Sequence, residues 1–303
     1  MSQDANDLSG LVAVVTGAAA GLGRAEAIGL ARAGASVVVN DIAPALERSD
    51  VLDEIAAAGV KGVAVAGDIS ERSTADELVA AADRLGGLGI VVNNAGITRD
   101  KMLFNLTDED WDAVIAVHLR GHFLLTRNAA AYWRAKAKAS ADGKVYGRII
   151  NTSSEAGLSG PVGQANYGAA KAGITALTLT AARALERYGV RANAIAPRAR
   201  TAMTAGVFGE APELPEGTVD PLSPEHVVKL VRFLAAPASE RVNGQLFIVY
   251  GPHVVLMNAP TVERHFRAPA EAWEPDQLST TLQEYFADRD PERGFSASVV
   301  LDS

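Results

Sequence analysis

Ser154, Tyr167 and Lys171 are the residues of this chain whose types and spacing could move a proton. A free phenol has a pKa of about 10, so its use as acid or base near neutrality needs about 4 kcal/mol of preferential stabilisation of the phenolate. Tyr167 and Lys171 stand at i and i+4, which on a helix places an ammonium beside the phenol and supplies that stabilisation. Ser154 follows a β-branched run and can hold a substrate oxygen by a hydrogen bond. Ser153 competes for that place, but successive strand residues point to opposite faces, so one of the two looks toward the phenol. Tyr-x-x-x-Lys is weak by itself, since Tyr132 and Lys136 repeat it. That copy has Leu119 thirteen residues upstream in place of a serine, and it reads as a helix-surface pair.

A second constellation gives the proton something to accompany. Gly17, Gly21, Leu22 and Gly23 lie in a turn between an apolar run and a helical segment, where missing Cβ atoms let a pyrophosphate approach backbone N–H groups at a helix N-terminus. A tight βα turn without a ligand is the alternative. It loses ground because a second apolar run ends at Asp41, whose carboxylate can accept both ribose hydroxyls of an adenosine, or else cap a helix. Asp68, with Ile69 after it, closes a third run and faces an adenine amino group or caps the next helix. Asn94, Ala95 and Gly96 close a fourth, where small residues suit a backbone passing close to a nucleotide. Phenol, ammonium and phosphate loop together point to hydride transfer to or from a bound dinucleotide. A 2'-phosphate would face Asp41 at a cost of about 4 kcal/mol per charge pair 4 Å apart at an effective dielectric of 20, and no basic residue stands at Ala20. NAD is therefore expected over NADP.

Seven runs must position these groups: residues 11–16, 36–40, 62–66, 90–93, 148–152, 191–195 and 245–250, separated by amphipathic segments. This alternation predicts an α/β chain with a Rossmann-like, doubly wound, seven-stranded parallel sheet. One domain is expected over residues 9–251, after a polar N-terminal tail at 1–8 and before a C-terminal extension at 252–303 in which the alternation stops. Thr107 reads as a helix N-cap, and residues 198–222, rich in Gly and Pro, read as a lid or a surface loop. A net charge of −8 argues against nucleic-acid and membrane surfaces and leaves a small-molecule substrate. With no cysteine, disulfides and thiolate chemistry are excluded, and no metal site is expected. The acidic, polar start and the lack of a long apolar stretch predict a cytoplasmic protein.

The set formed by the glycine turn, Asn93-Asn94-Ala95-Gly96, Ser154, Tyr167, Lys171 and Ile195-Ala196-Pro197 resembles the short-chain dehydrogenase/reductase family, from about Leu8 to Gly251. The resemblance implies one Rossmann-like domain, a nicotinamide cofactor and a homodimer or homotetramer. It implies Tyr167 as proton carrier, Lys171 as its activator and ribose ligand, and Pro197 and Thr201 at the nicotinamide. Asp108 to Asp112, Val117 to Gly121, Gly163 to Tyr167 and Met203-Thr204 are similar to the (3R)-hydroxyacyl-CoA dehydrogenase modules of multifunctional enzyme type 2, also called 17β-hydroxysteroid dehydrogenase type 4. That likeness implies an alcohol/ketone interconversion on a 3-hydroxyacyl thioester or a hydroxysteroid. Bacterial 3-oxoacyl-carrier-protein reductases resemble the chain next, and an NAD-binding scaffold without turnover is an alternative of another class. Two departures stand out. His118 replaces the family's catalytic asparagine, either keeping its backbone-carbonyl role or serving as a plain buried histidine, and Arg198 replaces a common glycine. Arg99, Arg120, Arg198 and Arg200 are candidates for thioester phosphates or ordinary surface charges.

Overall fold

Seven β-branched runs become β1 (Val12–Thr16), β2 (Ser36–Asp41), β3 (Gly62–Ala66), β4 (Leu88–Asn93), β5 (Gly147–Thr152), β6 (Val190–Pro197) and β7 (Leu246–Tyr250), all parallel, in the spatial order β3-β2-β1-β4-β5-β6-β7. The expectation of a seven-stranded, wholly parallel sheet is corrected by an eighth strand, β8 (His253–Leu256), antiparallel to β7 at the edge. Four residues are too few to show a period. Val254 and Leu256 are more than half exposed, so β8 exists by its pairing with β7 across the turn at Gly251-Pro252.

The computed structural model describes residues 5–209, 212, 215, 219–290, 294 and 295. The chain divides into two units, Met1–Met257 and Asn258–Ser303. The first holds the sheet and α1 (Gly21–Arg32), α2 (Ala43–Leu46), α3 (Val51–Ala57), α4 (Arg72–Leu85), α5 (Asp108–Ile115), α6 (Gly121–Ala139), α7 (Ala156–Ser159), α8 (Ala165–Leu185), α9 (Ala205–Phe208) and α10 (Pro224–Ala235). The second holds α11 (Pro275–Ala287), on which Tyr285 packs edge to face against Phe266 and donates to Glu263. Among the described residues no helix is long and apolar enough to cross a membrane.

Strand alternation divides the core in two. Ala13, Val15, Val37 and Val39 face α1 and α10, while Val12, Val14, Val38 and Val91 face the side of α4, α6 and α8. Leu8, in the segment before β1, is fully buried in the first of these layers. Thr107 caps α5 as its sequence predicts, accepting from the Asp110 N–H. The sheet order reverses between β1 and β4, and there an open α/β sheet forms a crevice beyond the strand ends. Of segment 198–222, residues 210, 211, 213, 214 and 216–218 lie outside the described residues, so the lid reading rests on the remainder. Arg200 ties the segment's two ends, pairing with Asp220 at 2.9 Å and donating to the carbonyls of Gly209, at 2.7 Å, and Phe208.

Candidate active site

A cleft of about 640 Å³ opens where β1 and β4 part. Thr16 pins its floor, its Oγ1 accepting from the N–H groups of Asn94 and Ala95 at 3.0 and 3.1 Å. Gly23 is required by close approach, since a Cβ there would lie 2.2 Å from the Gly17 carbonyl oxygen and 2.4 Å from Asn94 Nδ2. The first N–H groups of α1 carry no side-chain cap, which leaves the positive end of the helix facing the cleft. Asp41 stands at the mouth, its two oxygens accepting from the N–H groups of Ala19 at 3.1 Å and Ile42 at 2.9 Å. It caps no helix: α2 begins after Ile42 and has no side-chain cap. Asp68 accepts from the Ser70 N–H at 2.8 Å ahead of α4, and Ile69 lines the wall. Gly17, Gly21, Leu22, Ala95, Gly96, Pro197 and Thr201 line the same cleft. An uncapped helix start, a turn without room for Cβ atoms and a carboxylate lining the same cleft fit a dinucleotide.

At the far end stand the groups that could do chemistry. The Ser154 hydroxyl stands beside the Tyr167 phenol and accepts from the Ala156 N–H at 3.1 Å. Ser153 turns away, its Oγ lying 3.0 Å from the Lys171 carbonyl and 2.8 Å from Thr175 Oγ1, against α8. Lys171 sits one turn after Tyr167, Nζ 5.3 Å from the ring centroid, and donates to the Thr152 carbonyl at 2.6 Å. Burial pushes Lys171 down to about 7 and Tyr167 up, with the neighbouring Ser154 hydroxyl pulling the phenol back. The sequence reading has Lys171 lowering the phenol. In the structure desolvation sets the direction at both groups, the Asp100 charge adds to the rise at Tyr167, and Ser154 is the neighbour that favours the phenolate.

His118 lies in a π-helical turn, Ala116–Arg120, between α5 and α6. That turn swings the ring beneath Gly96, where a Cβ would meet His118 Cε1 at 2.2 Å. Its Nε2 is 2.7 Å from the Ile97 carbonyl and 3.0 Å from the Ile97 N–H, and its ring meets Tyr167 edge to face at 5.2 Å. Burial first, and the Lys171 charge second, lower its pKa to about 3. Burial among these groups therefore favours the neutral imidazole at His118.

The duplicate pair shows what spacing cannot decide. Lys136 Nζ stands 5.1 Å over the Tyr132 ring, a local geometry like that of Lys171 and Tyr167. Tyr132 instead donates to Asp83 at 2.6 Å, Lys136 pairs with Asp83 at 3.1 Å, and neither lines the cleft. Of the four arginine candidates, Arg120 donates to the Ser70 carbonyl at 2.6 Å, Arg198 pairs with Glu155 and Arg200 with Asp220, while Arg99 is exposed. Residues the sequence reading missed include Thr152, whose carbonyl receives Lys171, Glu155 beneath Arg198, and the apolar wall of Ile97, Ala113 and Val117. Only the adjacency of Glu155 to Ser154 offered a signal for any of them.

Comparison with known proteins agrees with this geometry. A family model for short chain dehydrogenase matches residues 11–210. A hydroxyacyl-CoA dehydrogenase, ChsB1, of Mycobacterium tuberculosis is 71% identical over 299 residues, covering 97% of this chain and 94% of that protein. A 3-oxoacyl-[acyl-carrier-protein] reductase of Synechocystis sp. is 40% identical over 82% of this chain and 98% of that protein. The peroxisomal multifunctional enzyme type 2 of Mus musculus is 41% identical over 79% of this chain, which spans only 31% of that longer protein. Among solved structures, a short chain dehydrogenase from Mycobacterium avium is 43% identical, with a TM-score of 0.83 over 94% of this chain and 97% of that one.

Proposed function

This chain belongs to the short-chain dehydrogenase family and is an NAD(P)-linked oxidoreductase acting on CH–OH groups, and from that premise we propose that it interconverts a 3-hydroxyacyl thioester and its 3-oxo form with NAD as the preferred carrier. The observation that carries the proposal is the pairing of Tyr167 with Lys171 in the wall of the cleft, Nζ 5.3 Å from the ring centroid, with the Ser154 hydroxyl beside the phenol. Support for the thioester comes from the hydroxyacyl-CoA dehydrogenase aligned along almost the whole chain.

The bound nicotinamide supplies the site that accepts or gives up the hydride. In oxidation, Ser154 Oγ holds the substrate oxygen, and Tyr167 Oη takes its proton. Lys171 in its ammonium form would stabilise the phenolate and would hold the nicotinamide ribose, while Thr201, which lines the cleft on the loop after β6, would hold the carboxamide. Neutral His118 wedges the ring of Tyr167 from the side and fixes its orientation. In reduction the same phenol returns the proton. Asp41 supports NAD over NADP, and Arg24, the basic residue just after the glycine turn, is held by Asp50 at 2.7 Å instead of standing ready for a 2'-phosphate. The family's habit of assembly and the exposed Phe123 and Leu179 on α6 and α8 support a homodimer or homotetramer.

The test is turnover of 3-hydroxyacyl-CoA, 3-oxoacyl-carrier-protein and hydroxysteroid substrates with NAD(H) and NADP(H), beside Tyr167→Phe. We expect hydroxyacyl-CoA to be the best substrate, and Tyr167→Phe to bind NADH normally while losing on the order of a thousandfold in kcat. Tight NADH binding with no turnover of any substrate would favour the scaffold, and a carrier-protein thioester turned over faster than its CoA counterpart would move the assignment to the reductase.

A further inference from the structure

Arg198 directly follows β6, and its surroundings are built. Backbone pairing of β5 and β6 ends at Thr152 and Ile195, with a last bond from the Ser153 N–H to the Ile195 carbonyl at 2.7 Å. Beyond it the two chains part, one to the Ser154 turn and one to the Thr201 loop. The Arg198 guanidinium crosses that gap with a two-point pair to Glu155, Nε and Nη2 each 2.7 Å from a carboxylate oxygen, in side chains only 17% and 13% exposed. From behind, the Tyr250 ring lies 4.3 Å from the guanidinium carbon and stacks on His253 at 4.9 Å, so the hairpin of β7 and β8 buttresses the arginine. The Arg198 N–H also donates to the Val249 carbonyl at 3.0 Å. On the other side, Glu155 is the residue next to Ser154, and its carbonyl accepts from the N–H groups of Leu158 and Ser159, both at 2.9 Å, in a tight turn.

We propose that the Arg198–Glu155 pair is a positioning element of the active site, bracing the Ser154 turn against the Thr201 loop so that the Ser154 hydroxyl meets the Tyr167 phenol. Arg198 touches no reacting atom. It acts through Ser154, and its charge is spent on Glu155 instead of on a substrate phosphate. The inference rests on the oxidoreductase reading above.

The experiment compares Arg198→Gly, Arg198→Lys, Glu155→Gln, Ser154→Ala and the double variant Ser154→Ala/Arg198→Gly in the full chain. Arg198→Gly is expected to lower kcat roughly tenfold to a hundredfold with little change in KM for NAD, because sub-ångström misplacement of a catalytic group costs that much. Arg198→Lys recovers only part, since an ammonium cannot reproduce the planar two-point contact. In the Ser154→Ala background Arg198→Gly is expected to cost nothing further. A second arm needs no turnover: ultraviolet titration of the Tyr167 phenol, taken as the difference from Tyr167→Phe, should move upward in Arg198→Gly as in Ser154→Ala. NADH binding confirms folding, and Glu155→Gln, which keeps the shape of the pair, decides the matter if Arg198→Gly does not fold. Losses from Arg198→Gly and Ser154→Ala that multiply independently, or an unmoved phenol titration, would overturn the proposal. Absent wild-type turnover would sink the oxidoreductase reading instead, with the titration still deciding the role of the pair.

Discussion

Proton affinity at the active-site residues is set by burial more than by charge. Lys171 is buried in the wall of the cleft, and desolvation alone brings it to about 7. An anionic dinucleotide bound beside Nζ would favour the ammonium, so NADH binding should draw a proton onto Lys171 in mildly alkaline buffer. Calorimetric titration in two buffers of different ionisation enthalpy measures that uptake. We expect it to approach one proton in the wild type and to vanish in Lys171→Met, and buffer-independent heats in the wild type would contradict the assignment. His118 does not compete for this proton, because the same burial and the neighbouring lysine hold it neutral.

At the scale of elements, each functional group is delivered by the end of a strand or the start of a helix. β2 brings Asp41, whose oxygens are fixed by two backbone N–H groups and so present a carboxylate of defined orientation at the adenosine end. Replacing it removes the repulsion that disfavours a 2'-phosphate, estimated at about 4 kcal/mol at an effective dielectric of 20 and reduced by solvent at a half-exposed site. Asp41→Ala is therefore expected to improve kcat/KM for NADP by about tenfold or more while weakening NAD. Steady-state kinetics with both carriers checks this, and an Asp41→Ala enzyme that gains nothing with NADP would refute the electrostatic account. The π-helical turn between α5 and α6 is the other decisive element, since it re-aims His118 under Gly96, a displacement that a regular helix drawn through Val114 and Val117 would not foresee.

For the whole molecule, one buried charge-bearing group is conspicuous outside the site. Glu26 on α1 is fully buried, and neither carboxylate oxygen has a hydrogen-bond partner among the described residues. Burial raises its pKa from the ordinary 4.5 to about 8, so between those values the folded state holds one proton more than the unfolded chain. Stability from this group is fully present below pH 4.5, falls as pH rises toward 8 and levels off above it. Glu26→Gln should flatten that fall and leave the protein more stable in mildly alkaline buffer, by an amount on the order of a few kcal/mol. Thermal unfolding of both proteins across this range provides the measurement, and parallel curves would show that Glu26 is solvated or paired.

What the sequence determined by itself is whatever short-range physics encodes. β-branched runs declared the seven parallel strands, and the missing Cβ atoms of the glycine turn declared the close approach of backbone at the start of α1. The i, i+4 spacing declared the pairing of Tyr167 with Lys171, and Thr107 with its acidic neighbours declared the start of α5. Tertiary structure decided what depends on residues far apart in the chain. It turned the Ser153 hydroxyl toward α8 and left Ser154 beside the Tyr167 phenol, and it put Tyr167 in the wall of the cleft while tying Tyr132 to Asp83 outside it. It created β8 from four exposed residues by offering them the edge of β7, and it joined Arg198 to Glu155 across 43 residues of chain. The sign of the shifts at Tyr167 and Lys171 also belonged to the fold, because desolvation comes from the surrounding packing and no spacing in the sequence records how deeply a side chain is enclosed.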